Sequence, residues 1–277
     1  MGESPPEGYN TPIPAKIMTP DRIDTRIGPL EFDDGRPSPD TVERLYDFVD
    51  LTRGVQAFLD GIPAASLEAM RAGLVSQGLD ACHHVLIAEH LLDSSPLFLT
   101  GNTDTVYAAG VIDLERDGPT VVEIPPGCGP GTVNDAWFRF VVDMGAPGPD
   151  RGQGGRYLIV HEDDDLDDPE GFFVARSPSY VNWLILRGFL VDGKADAATQ
   201  MFREGLRVYP FARSEDPPEM VFSSFSQVAM NTIHANDAEF YPRARARDPT
   251  RAARSRRPRD EGCPRVDRDP QAPAVRT

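Results

Sequence analysis

Between Leu97 and Leu114 the chain reads LFLTGNTDTVYAAGVIDL, and its polar residues Asn102, Thr103, Asp104, Thr105 and Tyr107 crowd an otherwise β-rich run. Asn and Thr side chains donate and accept hydrogen bonds without charge, which suits the hydroxyl, amide or carboxylate groups of a small polar ligand. Strand alternation would place Thr103, Thr105 and Tyr107 on one face. The competing reading has Asn102 and Thr103 capping a turn and Tyr107 filling the core with its hydroxyl satisfied.

A second group comprises Trp137, Arg139 and Asp143, with Arg176, Tyr180, Asn182 and Arg187. If residues 137–143 form one strand, Trp137, Arg139 and Asp143 share a face. An arginine on a buried β face is costly unless paired. Arg139 therefore either pairs with Asp143 or Asp135, or grips a ligand carboxylate or phosphate in bidentate fashion. The expected ligand-binding set is Asn102, Thr103, Thr105, Tyr107, Arg139, Arg176 and Asn182.

For acid–base chemistry the candidate is His234 in NTIHAND, because only histidine titrates unassisted near neutral pH. Asp237 or a nearby Asn would fix its tautomer, and His234 and Asp237 are the expected catalytic pair of a metal-free hydrolase or lyase. The alternative is a linker histidine bonded to backbone. Cys82, His83, His84, Glu89 and His90 are all competent zinc ligands, but neighbours on a strand point to opposite faces and no second ligand pair of standard spacing follows. EDDDLDD (162–168) has Asp168 and Val174 where an EF-hand loop needs Gly and Glu. GCGPG (127–131) leads into a strand pattern rather than a phosphate-cradling helix. GxSxG, HExxH and Walker A patterns are absent from the sequence. The expectation is a protein without metal or cofactor.

With 277 residues and a net charge of −16, the chain repels nucleic acid and anionic lipid, so neither is an expected partner. A small polar molecule and a second copy of the chain are the candidate partners. Three widely spaced cysteines do not make a disulfide framework. MGESPPEGYNTP lacks the basic and apolar regions of a signal peptide, and the apolar run 183–191 is short and broken by Arg187. A soluble cytoplasmic protein is expected.

Positioning elements follow from periodicity. Ser38 as N-cap, Pro39 at the first helical position and Asp40 at the positive dipole end begin a helix. Val42, Leu45, Tyr46, Val49, Thr52, Val55, Phe58 and Leu59 follow its 3.6-residue period. A second helix over 63–77, with Leu67, Met70 and Leu74 on one face and Gly78 as its stop, would fold back through the 60–62 link as an antiparallel hairpin. Strand patterns then recur at 85–88, 97–99, 105–114, 120–124, 137–142, 156–161, 171–176 and 183–191, with Arg116-Asp117-Gly118 read as a hairpin turn. A third helix is expected over 195–206 and extended pieces over 208–211 and 220–225. The fold class is α+β: an N-terminal helical hairpin packed on an antiparallel β-sandwich.

The expected segments are a disordered lead-in (1–18), a helical segment (19–79), the sandwich (80–193), a helix and extended linker (194–241) and an Arg/Pro-rich tail (242–277). The tail holds 11 arginines and five acidic residues and carries +6, while residues 1–241 carry −22. Such a composition does not continue a folded core. It reads as a non-native extension, such as a shifted frame in GC-rich coding DNA, or as a basic tail for an anionic partner.

TPDRIDTRIGPLEF (19–32), VQAFLDGIPAASLEAMR (55–71), LFLTGNTDTVY (97–107), VVEIPPG (121–127), WFRFVVDMGAPGPDRGQGGRYL (137–158), FFVARSPSYVNWLILRGFLVDG (172–193), LRVYP (206–210) and NTIHAND (231–237) together resemble the DUF1254 family. These are proteins of unknown function usually joined to a C-terminal DUF1214 domain. The resemblance implies a helical N-terminal segment, an immunoglobulin-like sandwich and then a jelly roll. After Tyr241 the arginine tail stands where that pattern would continue, so the chain resembles a truncated member.

Overall fold

The computed structural model describes residue 8 and residues 11–98 and 100–241, and the expected basic tail lies outside the described residues. The chain divides into two compact units, residues 1–62 and 63–277.

In the first unit, β1 (Arg22–Thr25), β2 (Gly28–Asp33) and β3 (Arg36–Pro37) form an antiparallel meander. Helix α1 (Pro39–Ser76) starts as its sequence directs, for the Ser38 hydroxyl accepts from the Thr41 amide at 3.2 Å. Thr41 Oγ1 accepts from the Glu31 amide and donates to the Glu31 carbonyl, tying the first helical turn to β2.

The expected hairpin is absent: α1 is one helix of 38 residues with Pro63 inside it. A proline there removes a single backbone donor and costs about 3 kcal/mol. Strong helix formers flank it (Ala64, Ala65, Leu67, Glu68, Ala69), and burial of Leu67, Ala69 and Leu74 offsets the loss. The expected stop is real: Gly78 has φ +90 and its amide donates to the Val75 carbonyl. The apolar stripe of the first unit is largely exposed, with Tyr46 at 68% and Val55 at 51%.

The second unit is built from β4 (His84–Ile87), β5 (Thr105–Asp113), the one-turn α2 (Leu114–Asp117), β6 (Thr120–Ile124), β7 (Pro130–Asp135), β8 (Phe140–Gly145), β9 (Gly155–His161), β10 (Phe173–Ser177), β11 (Val181–Phe189), α3 (Asp196–Gly205), β12 (Arg207–Pro210) and β13 (Val221–Ser224). Two sheets form, in the orders β10-β9-β6-β12 and β13-β4-β5-β11-β7-β8. One core joins them: Val85, Val106, Ala108, Leu184 and Leu186 of the larger sheet pack with Val122, Tyr157, Ile159 and Val208 of the smaller, closed by Phe202 of α3. The larger sheet's other face carries Tyr107, Ala109, Trp183 and Ile185, in one cluster with Leu67 and Leu74 of α1.

Neither sheet is purely antiparallel. The edge strands β10 and β13 pair parallel to β9 and β4. Parallel pairing needs a long connection, and the acidic run 162–168 supplies part of it between β9 and β10. Arg116-Asp117-Gly118 makes no hairpin, because β5 and β6 lie in different sheets. Asp113 accepts from the Arg116 amide and caps α2, which turns the chain from one sheet to the other.

GCGPG (127–131) leads into a strand as its pattern suggests, but that strand is β7 (Pro130–Asp135), a segment outside the expected strand ranges. It pairs with β11 and β8, and glycine is required there. Gly145 has φ +71, and a Cβ on it would overlap the Gly129 carbonyl oxygen. Beyond it the loop folds around buried Asp150, which accepts from the Gly145, Gly152 and Gly154 amides and the Tyr157 hydroxyl. Burial, then Asp150, raise the Tyr157 pKa.

Candidate functional site

Strand β5 begins at Thr105, so Thr103 lies in the preceding turn and not on the strand face with Thr105 and Tyr107. Asn102 organises that turn. Its Oδ1 accepts from the Asp104 amide (3.0 Å), the Thr105 amide (3.1 Å) and the Thr105 hydroxyl (3.0 Å). These donors fix the amide orientation, and Nδ2 donates to the Tyr107 hydroxyl at 2.7 Å. The Asn102 backbone amide donates to the same oxygen at 3.3 Å, so the Tyr107 O–H hydrogen remains free to donate elsewhere.

Directly opposite Tyr107 in the β5–β11 register stands Arg187, its guanidinium 5.4 Å from the Tyr107 ring centroid. Among the described residues three other arginines are half-buried, and each is bonded: Arg44 to the Ile27 carbonyl (3.0 Å), Arg71 to Glu68 (2.6 Å) and Arg207 to the Leu206 carbonyl (2.9 Å). The Arg187 guanidinium has no hydrogen-bond or ion-pair partner among the described residues. Its signal in the sequence is its place as the one charge inside the apolar run 183–191. Thr132 and Asp143, in register beside Ile185, share this face of the sheet.

The structure does not bring the other expected ligand-binding residues to this place. Arg139 leaves the expected strand because β8 starts at Phe140, and Trp137 and Arg139 lie in the β7–β8 turn. Asp135, not Asp143, is the partner of Arg139, at 2.6 Å. Arg176 sits on β10 of the smaller sheet, donating to the Asp164 and Leu166 carbonyls and to Asp168, which pins the acidic connection. Asn182 is buried and committed internally: Oδ1 accepts from the Ser177 hydroxyl (2.6 Å) and Nδ2 donates to the Ser179 carbonyl (3.0 Å).

His234 has its Nδ1 2.9 Å from the Ala235 carbonyl, which fixes Nδ1 as the protonated nitrogen, and its ring meets Phe240 edge-on. Asp237 does not orient it; that carboxylate accepts from the Glu239 amide. The segment reaches back to residue 97, where the Thr232 hydroxyl donates to the Leu97 carbonyl at 2.6 Å. Cys82, His83, His84, Glu89 and His90 do not gather: among the described residues no group of three or more His, Cys, Asp or Glu is placed to hold a metal ion. Glu89 instead binds Arg203 at 2.7 Å, which holds its carboxyl below the usual range. Burial pushes the thiols of Cys82 and Cys128 up to about 12, so neither is a nucleophile at neutral pH.

No helix among the described residues is long and apolar enough to cross a membrane. No curated protein matches the sequence. Among solved structures, that of the VPA0106 protein from Vibrio parahaemolyticus is similar, with 15% identity and a TM-score of 0.44, over 69% of this chain and 45% of that one. The chain thus spans less than half of that protein's length. Residues 83–210, which include β5, the face of Arg187 and every strand of both sheets except the edge strand β13, match the family described as "Protein of unknown function (DUF1254)", and this match supports a DUF1254 domain over that stretch.

Proposed function

We propose that this protein is a binding module for a small polar molecule, which it takes through a carboxylate or phosphate group at Arg187. The observation that carries the reading is half-buried Arg187, its guanidinium over the Tyr107 ring with no ion-pair partner among the described residues. A partly desolvated cation without a counter-charge is unfavourable, and a bidentate anion relieves it. The free hydrogen of Tyr107 would supply a further donor, and the exposed Thr103 would offer a neutral contact at the rim. The immunoglobulin-like reading of the sandwich belongs to the same proposal, resting on the family resemblance.

The test is a calorimetric titration with a panel of small carboxylates and phosphates against neutral analogues. Binding of at least one anion is expected, weakened about 10- to 100-fold by Arg187→Ala. Affinity unchanged in Arg187→Ala, or a panel in which no anion binds, would overturn the reading.

A further inference from the structure

At the open edge of the larger sheet, three residues stand in line that the metal reading of the 82–90 segment did not explain. β13 runs parallel to β4, with Val221 opposite His84 and Ser223 opposite Leu86. Alternation sends the side chains of His84 and Ser223 to the same face. The His84 Nε2 lies 2.9 Å from Ser223 Oγ, and its Nδ1, on the other side of the ring, lies 3.8 Å from Asp80 Oδ1. The His84 side chain is 11% exposed, Ser223 is half-buried, and Asp80 is at the surface.

Nucleophilic catalysis by a hydroxyl requires a base within hydrogen-bond reach and a third group that orients the base. Nε2 accepts the Ser223 proton only when Nδ1 carries the ring hydrogen, and a carboxylate on the Nδ1 side favours that tautomer. At 3.8 Å Asp80 acts through its charge rather than through a hydrogen bond. The strand also presents donors. The amides of Val221 and Phe225 donate to the His83 and Ile87 carbonyls of the β4 side, so the intervening amides of Phe222 and Ser224 face the open edge. The amide following the nucleophile is where acyl-transfer enzymes commonly place an oxyanion donor, and here it belongs to Ser224.

We propose that Ser223, His84 and Asp80 form a nucleophilic centre for hydrolysis of small, unhindered carboxylic esters, with Ser223 as nucleophile, His84 as base and Asp80 as positioning residue. Ser223 Oγ bonds to the ester carbonyl carbon as its proton passes to His84 Nε2. The tetrahedral adduct collapses, the bond to the leaving oxygen breaks, and that oxygen takes the Nε2 proton and departs as the alcohol. Water then attacks the acyl-serine, passes one proton to Nε2, and displaces Ser223, which recovers that proton as the acid leaves. The sum is ester plus water to acid plus alcohol. The assignment is independent of the Arg187 site.

The experiment treats the full chain with a fluorophosphonate probe and maps the adduct by mass spectrometry, with p-nitrophenyl acetate turnover measured in parallel. One adduct, on Ser223, is expected in the folded chain and not in urea. It disappears in Ser223→Ala, forms at least tenfold more slowly in His84→Gln, and forms several-fold more slowly in Asp80→Asn. No adduct on Ser223 in the folded chain, or an equal rate in His84→Gln, overturns the proposal. Should His84→Gln fail to fold, Asp80→Asn decides at an exposed position, and an unchanged rate there overturns the assignment.

Discussion

Asp135 and Arg139 are joined at 2.6 Å across the boundary between core and solvent: the carboxylate is fully buried, while the guanidinium side chain is 58% exposed. Asp135 Oδ1 also accepts from the amides of Trp137 and Arg139, each at 2.8 Å, so the carboxylate shapes the β7–β8 turn and the arginine only completes its shell.

The two halves of this pair are therefore unequal. Asp135→Ala strands two amides and is expected to cost about 2–4 kcal/mol. Arg139→Ala is expected to cost no more than about 1 kcal/mol, since its guanidinium is largely solvated and two amides keep the buried carboxylate hydrogen-bonded without it. Urea unfolding of both variants checks this, and equal losses would contradict it.

Asn102→Ala removes the acceptor for two amides and one hydroxyl, and the donor to Tyr107. A loss of about 1–3 kcal/mol is expected. If anion binding uses the Tyr107 donor, affinity falls in Asn102→Ala even at temperatures where the variant is fully folded. An unaltered thermal midpoint would mean that Asn102 does not organise this turn.

Alkali should weaken the fold through its thiols. Burial raises Cys82 and Cys128 from 9.0 to about 12 in the folded chain, and the negative charges of Asp117 and Asp150, respectively, add to it. A group whose folded pKa is raised contributes fully below its unfolded value and loses that contribution as pH climbs to the folded one. Stability should thus fall from about pH 9 toward pH 12, by about 1.4 kcal/mol per pH unit for each thiol. Denaturant midpoints of Cys82→Ala and Cys128→Ala across this range should decline less steeply than those of the parent. Parallel curves would refute the linkage.

Pro63 offers a test of the single helix. Pro63→Ala restores the missing donor inside α1 and should raise both helical circular dichroism and the melting temperature, with a gain of up to about 3 kcal/mol. In a hairpin, with Pro63 opening a second helix, the same change would leave helicity unchanged or lower it.

Much of the architecture was legible because local chemistry and tertiary structure agreed. Ser38, Gly78 and the strand from Thr120 to Ile124 are where their residue types require them. What escaped is what long-range packing decides. Pro63 signals a break that the buried Leu67 and Leu74 override, and the extent of β7 past the 127–131 glycines comes from its close approach to β8 and β11. The site followed the same division. The Asn102 turn is local and readable, but the company that Arg187 keeps depends on the register of β11 against β5. The meeting of His84 with Ser223 spans 139 positions and leaves no local trace.

The contact between Gly145 and the Gly129 carbonyl has a consequence for how this molecule tolerates change. Two peptide planes touch there with no side chain between them, so the spacing of the strands is set by atoms the sequence leaves out. Any substituent at position 145 must push the β8 end off the Cys128–Gly129 backbone, and the displacement would reach the Asp150 loop through the Gly145 amide that Asp150 holds. That hinge-free seam makes one methyl group at position 145 a larger perturbation than the loss of most surface charges.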